Sequence, residues 1–161
     1  MNKETTAVSM AQLGPFIKDT VADGNTVTLC VTGNSMAPLW HHLRNNVVLG
    51  SCDPSQLKRG DVPLYKRSNG QYVLHRVVRV RGDLFDVVGD AQCVVEKGVE
   101  LNRALAVLVG FYTEDGVYVS ADDKKYRRYA ARRLASRPFR HVLTWLKVRA
   151  AAAYRKIFRK G

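Results

Sequence analysis

The stretch TGNSMAP, residues 32–38, sets a serine among turn-forming neighbours. A serine hydroxyl becomes a nucleophile only when a base lies within hydrogen-bond reach and donors meet the developing oxyanion. Ser35 is therefore a candidate for acyl-transfer chemistry if the fold delivers both. Gly33 and Asn34 make a tight bend before it and Pro38 ends the turn after it, features that an ordinary turn shares. The base candidates are the four histidines. His41 and His42 lie in a short irregular stretch after the serine, His141 stands in a basic tail, and His75 falls inside YVLHRVV, a strand by its pattern. Only His75 belongs to an element expected to pack rigidly beside the Ser35 turn. Adjacent His41 and His42 do not suggest a metal, because neighbouring strand residues point to opposite faces and there is no third ligand nearby. No metal and no cofactor is expected.

The elements that must position these groups are mostly strands. TVTLCV at 26–31, VVLG at 47–50, DVPLYKR at 61–67, QYVLHRVVRV at 71–80, DLFDVVG at 83–89, ALAVLVGFY at 104–112 and GVYVS at 116–120 are rich in β-branched and apolar residues, many at period two. Ser68-Asn69-Gly70, Arg81-Gly82-Asp83 and Thr113-Glu114-Asp115-Gly116 read as the hairpin turns of antiparallel strands. Before them, Val8, Ala11, Phe16, Ile17 and Val21 recur at rough helical spacing, interrupted at Gly14-Pro15 and stopped at Asp23-Gly24-Asn25. After them, Ser120 and Asp123 have capping-box spacing, and Tyr126, Ala130 and Leu134 share a helical face. Pro138 is expected to break that helix. A second one would carry Phe139, Val142, Leu143, Leu146, Ala150, Ala153, Tyr154 and Ile157 on one side, with Arg140, Lys147, Arg155 and Lys156 largely off it. The division expected is 1–24, an N-terminal helical segment; 25–120, a mainly β domain; and 121–161, a basic amphipathic helical tail.

Charge divides the chain at the same place. Residues 121–161 hold 14 Lys and Arg against 2 Asp, whereas residues 1–120 hold 12 basic and 12 acidic residues, so the net charge of +12 resides in the tail. A neutral body with a basic tail implies a separate anionic partner for the tail, a membrane surface or a nucleic acid. Specific nucleic-acid reading is disfavoured, because no aromatic–basic interleaving lies on a sheet. Cys30, Cys52 and Cys93 are odd in number and lack C-x-x-C spacing, which fits a reducing interior. The first twenty residues contain no apolar run of signal-peptide length, and 104–112 is too short to span a bilayer. The expectation is a cytoplasmic protein, not an integral membrane one, with a peripheral contact at the inner membrane face available to the tail.

GNSMAP, LKRGDVPLY, YVLHRVV and GDLFDVVGDAQ, in that order over about residues 26–112, resemble the catalytic domain of the signal peptidase I superfamily, which includes the LexA-type self-cleaving repressors. The resemblance implies a mainly β fold of antiparallel coiled sheets forming a partial barrel. It implies that Ser35 is the nucleophile, and that His75, followed by Arg76 as in the endoplasmic-reticulum and archaeal type, is the base where bacterial enzymes use lysine. The acidic residues of that type fall on Asp90, in a Gly-Asp pair, and on Glu96, where the family usually has Asp; either would hold the imidazole in its useful tautomer. Gly33, Asn34 and Met36 become the positions for oxyanion and substrate binding, with backbone N–H groups as donors because glycine at 33 offers no side chain. The substrate would be a peptide or protein precursor. A self-cleaving regulator fits less well, since no helix-turn-helix fits before the β region and no Ala-Gly or Cys-Gly junction precedes Ser35. The alternative from another class is a non-catalytic binding module on a peptidase fold, using the tail for anionic membrane or nucleic acid.

Overall fold

The computed structural model describes residues 10–158; within them the side chains of residues 10, 11, 141, 143–145, 147, 148 and 150–158 fall outside the description. The readings at Val8, Ala11, His141, Leu143, Lys147 and the apolar and basic positions beyond 149 lie outside the described residues or side chains. The described residues are mainly β, with two antiparallel sheets, one of them curled into a half-barrel, and two α-helices. Helix α1 (Met10–Ala22) precedes β1 (Val27–Cys30), β2 (Asn46–Gly50), β3 (Pro63–Lys66), β4 (Tyr72–Leu74), β5 (Arg76–Arg81), β6 (Leu84–Val88), β7 (Glu96–Glu100), β8 (Ala104–Tyr112), β9 (Tyr118–Ser120) and α2 (Lys124–Phe158). The larger sheet runs β1-β2-β8-β3-β4, with β9 also paired to β8; the smaller runs β5-β6-β7. No helix among the described residues is long and apolar enough to cross a membrane.

The β3–β4 hairpin forms the wall between two cores. Because strand side chains alternate, Leu64 and Leu74 face one side while Tyr65 and Val73 face the other. Leu64 joins Ile17, Val21, Trp40, Leu49, Leu108 and Phe111 under α1. Tyr65 joins Val77, Phe85, Val87 and Val99 of the smaller sheet.

Several boundaries differ from the sequence reading. Gly14-Pro15 does not interrupt α1, which runs through both. A Cβ at Gly14 would collide with the Tyr72 ring, so glycine there permits the helix to lie against β4. Residues 71–80 are not one strand: the chain leaves the larger sheet after Leu74 and enters the smaller one at Arg76, with His75 as the single residue between. Pro138 does not break the C-terminal helix, which is continuous over 35 residues. The helix cap is Asp123, whose carboxylate accepts from Lys125 N–H and Tyr126 N–H at 2.8 and 3.0 Å; Ser120, expected as the cap, ends β9.

Candidate functional site

Beyond β1 the chain leaves the sheet in a loop pinched at its neck, where Val31 N–H donates to Asn45 O at 2.9 Å and Leu43 N–H to Val31 O at 2.8 Å. Leu43 takes a left-handed φ of 59° to do so, a conformation costing a branched side chain about 1 kcal/mol. Met36 and Trp40 anchor the loop, both essentially without exposure, with Trp40 packed edge-on to Phe111 at 5.4 Å. Such anchors are worth roughly 3 kcal/mol or more each when truncated. His42 closes the bend: its Nδ1 accepts from Gly33 N–H at 2.9 Å and its N–H donates to Asn34 Oδ1 at 3.0 Å. Gly33 sits at φ 87°, which favours glycine, and half-buried Ser35 stands at the turn. His41 N–H donates to Asn45 Oδ1. Among the described residues no cluster of three His, Cys, Asp or Glu could hold a metal ion.

His75 reaches this loop through sheet register. Arg76 pairs with Val88 and Val77 with Val87, so the ladder ends at the residue after His75 on one strand and the residue before Gly89 on the other. Gly89 in turn lies against the serine: a Cβ on it would come within 2.6 Å of Ser35 O, and Ala91 N–H donates to that same oxygen at 2.8 Å. The serine carbonyl is therefore bonded to the turn just after β6, whose last residue pairs with Arg76, the neighbour of His75. Among the described residues no hydrogen bond joins Ser35 Oγ to His75. Neither Ser35 N–H nor Met36 N–H donates to a protein acceptor among those residues.

The imidazole is held from its other side. Tyr65 OH lies 2.7 Å from Glu96 Oε2 and 3.4 Å from His75 Nδ1. Arg67 also grips Glu96, its Nε lying 3.0 and 2.9 Å from the two carboxylate oxygens. Burial pushes the Glu96 carboxyl up, but the donors Arg67 and Tyr65 outweigh it and hold Glu96 below its ordinary value. An ionised Glu96 can only accept, so it takes the single phenolic proton, and Tyr65 O is left to accept from Nδ1–H. That arrangement assigns the proton to Nδ1 and the lone pair to Nε2. Burial, and next the positive Arg67, lower the His75 pKa to about 4, with Glu96 and Asp90 opposing. The ring is neutral at pH 7.

Asp90 is occupied elsewhere. Its carboxylate takes a two-pronged bond from Arg76, Nε to Oδ1 at 2.8 Å and Nη2 to Oδ2 at 2.7 Å, with both side chains fully buried. Arg76 continues to Gly60 O and Tyr126 OH, and Tyr129 OH donates to Asp90 Oδ2 at 3.2 Å. Arg133 Nε and Arg140 Nη1 both donate to Asp90 O, at 2.8 and 2.7 Å, and Arg133 Nη2 reaches Ala37 O at 3.5 Å. Of the two acidic candidates, then, Glu96 is joined to His75 through a tyrosine, while Asp90 is joined to Arg76 and α2.

The sequence reading passed over Tyr65, Arg67, Tyr129 and Arg133, and it placed Arg140 only off the apolar side of a second helix. For the first pair a signal existed: they sit two apart at the end of DVPLYKR, which puts both on one face of that strand. For the helix residues there was none, because nothing in the sequence says where α2 docks. No family model, no curated protein and no solved structure matches this chain.

Proposed function

We propose that this chain is a serine endopeptidase of signal-peptidase type that cuts a precursor peptide or protein, with Ser35 as nucleophile and His75 as general base. One observation carries the reading: the Glu96–Tyr65–His75 chain leaves Nε2 unprotonated on a buried imidazole, and the turn after β6, the strand paired with the one His75 leads into, is bonded to the Ser35 carbonyl through Ala91 N–H. His75 Nε2 takes the Ser35 proton as Oγ attacks the scissile carbonyl carbon; the proton then passes to the departing amine as the carbon–nitrogen bond breaks. Water hydrolyses the acyl-enzyme with the same base. Glu96 acts through Tyr65 to stabilise the imidazolium as it forms, which offsets the burial that makes His75 a weak base. Ser35 N–H and Met36 N–H are the donors for the oxyanion, and the Gly33–Asn34 bend holds them in place. Catalytic hydrogen bonds often tighten only on substrate binding, so Ser35 and His75 need close only with a peptide in place. The assignment of the fold to the signal-peptidase and LexA type belongs to this proposal and rests on the four ordered motifs.

The test incubates wild type, Ser35→Ala and His75→Gln with a diverse peptide mixture and reads new termini by mass spectrometry. Cleavage by wild type and its loss in both variants is expected. Equal products from Ser35→Ala would refute the assignment, and no cleavage by wild type favours a non-catalytic binding module on this fold.

A further inference from the structure

Helix α2 presents two different surfaces, and they lie on opposite faces. At about 100° per residue, the buried Tyr126, Ala130 and Leu134, together with the bonded Tyr129, Arg133 and Arg140, cluster on the face turned to the sheets. Phe139, Val142 and Leu146 lie about 180° away by the same geometry, and they are 73, 55 and 49% exposed. On that outer face, nearer the start of the helix, stand exposed Lys124, Arg128 and Arg132. The outer face therefore reads as a basic patch followed by an apolar stripe, on a helix too polar to cross a bilayer.

We propose that the outer face of α2 docks on an anionic lipid surface, with Lys124, Arg128 and Arg132 at the phosphates and Phe139, Val142 and Leu146 inserted among the upper acyl chains. Two observations favour lipid over nucleic acid. Large apolar side chains in a row gain nothing from phosphate backbone contact but gain from burial in the acyl boundary. The charge complements an anionic surface, since residues 121–161 carry the whole excess of +12. The geometry also leaves the docking face of α2 free to hold the body, because the two faces point apart. The same helix clamps Asp90 O and Ala37 O, so a docked protein would carry its Ser35 corner at a fixed height above the lipid. This inference does not depend on Ser35 being catalytic, and its test uses no activity.

The experiment sediments the full chain with vesicles of neutral phosphatidylcholine and of phosphatidylcholine containing phosphatidylglycerol, at low and at 0.5 M salt, beside a duplex DNA titration. Binding to the anionic vesicles alone is expected, with a fraction that survives 0.5 M salt. Each basic residue near such a surface contributes about fivefold in partitioning, so Lys124→Gln/Arg128→Gln/Arg132→Gln should weaken it roughly a hundredfold. Phe139→Ser/Val142→Ser/Leu146→Ser should abolish the salt-resistant fraction; all six positions are exposed, and circular dichroism checks that each variant is folded. DNA binding without vesicle binding, or vesicle binding unchanged in both triple variants, would overturn the proposal.

Discussion

Replacing Asp90 by Asn should destabilise the protein far more than its single-atom change suggests. Arg76 has no exposed surface, and its compensation comes from two short bonds to the Asp90 carboxylate; Gly60 O and Tyr126 OH are neutral partners at 3.0 and 3.1 Å. Asparagine keeps the shape and one acceptor oxygen, but it turns an NH2 group toward the guanidinium and leaves the buried charge unbalanced. Breaking a buried pair from one side costs about 3–5 kcal/mol. With a urea slope of roughly 2 kcal/mol/M, that is a fall of about 2 M in the unfolding midpoint. Equilibrium urea unfolding followed by circular dichroism measures it. The double variant Arg76→Met/Asp90→Leu should recover most of the loss, because replacing both charges by apolar groups of similar size is often neutral. A midpoint for Asp90→Asn within about 0.5 M of wild type would refute the view that Asp90 is committed to Arg76.

Tyr65→Phe removes the hydroxyl between Glu96 and His75 and leaves Arg67 on the carboxylate; it should lower kcat/KM by about 10–100-fold at a stability cost of about 1 kcal/mol, and nitrogen NMR of His75 should show the Nδ1–H tautomer giving way. His75 is held neutral, its pKa moved from 6.5 down to about 4 by burial and then by Arg67, so the unfolded chain binds the extra proton between those values and stability falls as pH drops through that window. The His75 share is at most ~3 kcal/mol. His75→Gln should flatten that part of a pH series of urea midpoints, while the acid limb of wild-type kcat/KM should fall near pH 4 and not near 6.5; an acid limb at 6.5 would contradict the burial argument. Gly89→Ala puts a methyl within 2.6 Å of Ser35 O and 3.0 Å of Gln92 Oε1, so the Ser35 loop must shift, with a loss of about 1–3 kcal/mol in stability and a larger proportional loss of peptide cleavage.

The strands whose residues alternate were legible: those around Val27, Val47, Leu64, Val87 and Ala106 fall where pattern and turn residues put them. β7 was not, because EKGVE is mostly charged; it holds its place by pairing Val99 with Phe85 and by turning Val99 into the smaller core. Proline at 138 reads as a break in isolation, but a helix tied to Asp90 O by Arg133 before it and by Arg140 after it tolerates one lost backbone bond. The Leu74–His75–Arg76 passage between sheets was hidden too, since both sheets ask for the same alternation and nothing local marks the crossing. At the candidate site, the sequence offered Asp90 and Glu96 as equals. Only the burial of Arg76 and the reach of Tyr65 separate them.

Charge and packing place the end of the β unit differently. By charge, the body stops near residue 120 and everything after it is tail. By packing, Tyr126, Ala130 and Leu134 are as buried as the strands beneath them, Tyr126 meets Phe111 at 5.4 Å, and Tyr126 OH accepts from Arg76. A chain ending at 120 would leave Arg76 and Asp90, the most deeply buried charges beside the candidate site, open to water on the side that α2 covers. The opening turns of α2, through Leu134, are therefore part of the structure that holds the Asp90 loop, and through Ala91 and Arg133 the Ser35 loop as well. Among the described side chains Leu134 is the last buried one; beyond it Arg140 still reaches Asp90 O, while Phe139, Val142 and Leu146 turn outward. Basic residues are spread over both parts because they serve two purposes: Arg133 and Arg140 bind backbone carbonyls of the body, and Arg128 and Arg132 face out. A count of charge along the sequence adds these together, and only the helical phase relative to Tyr126 tells them apart.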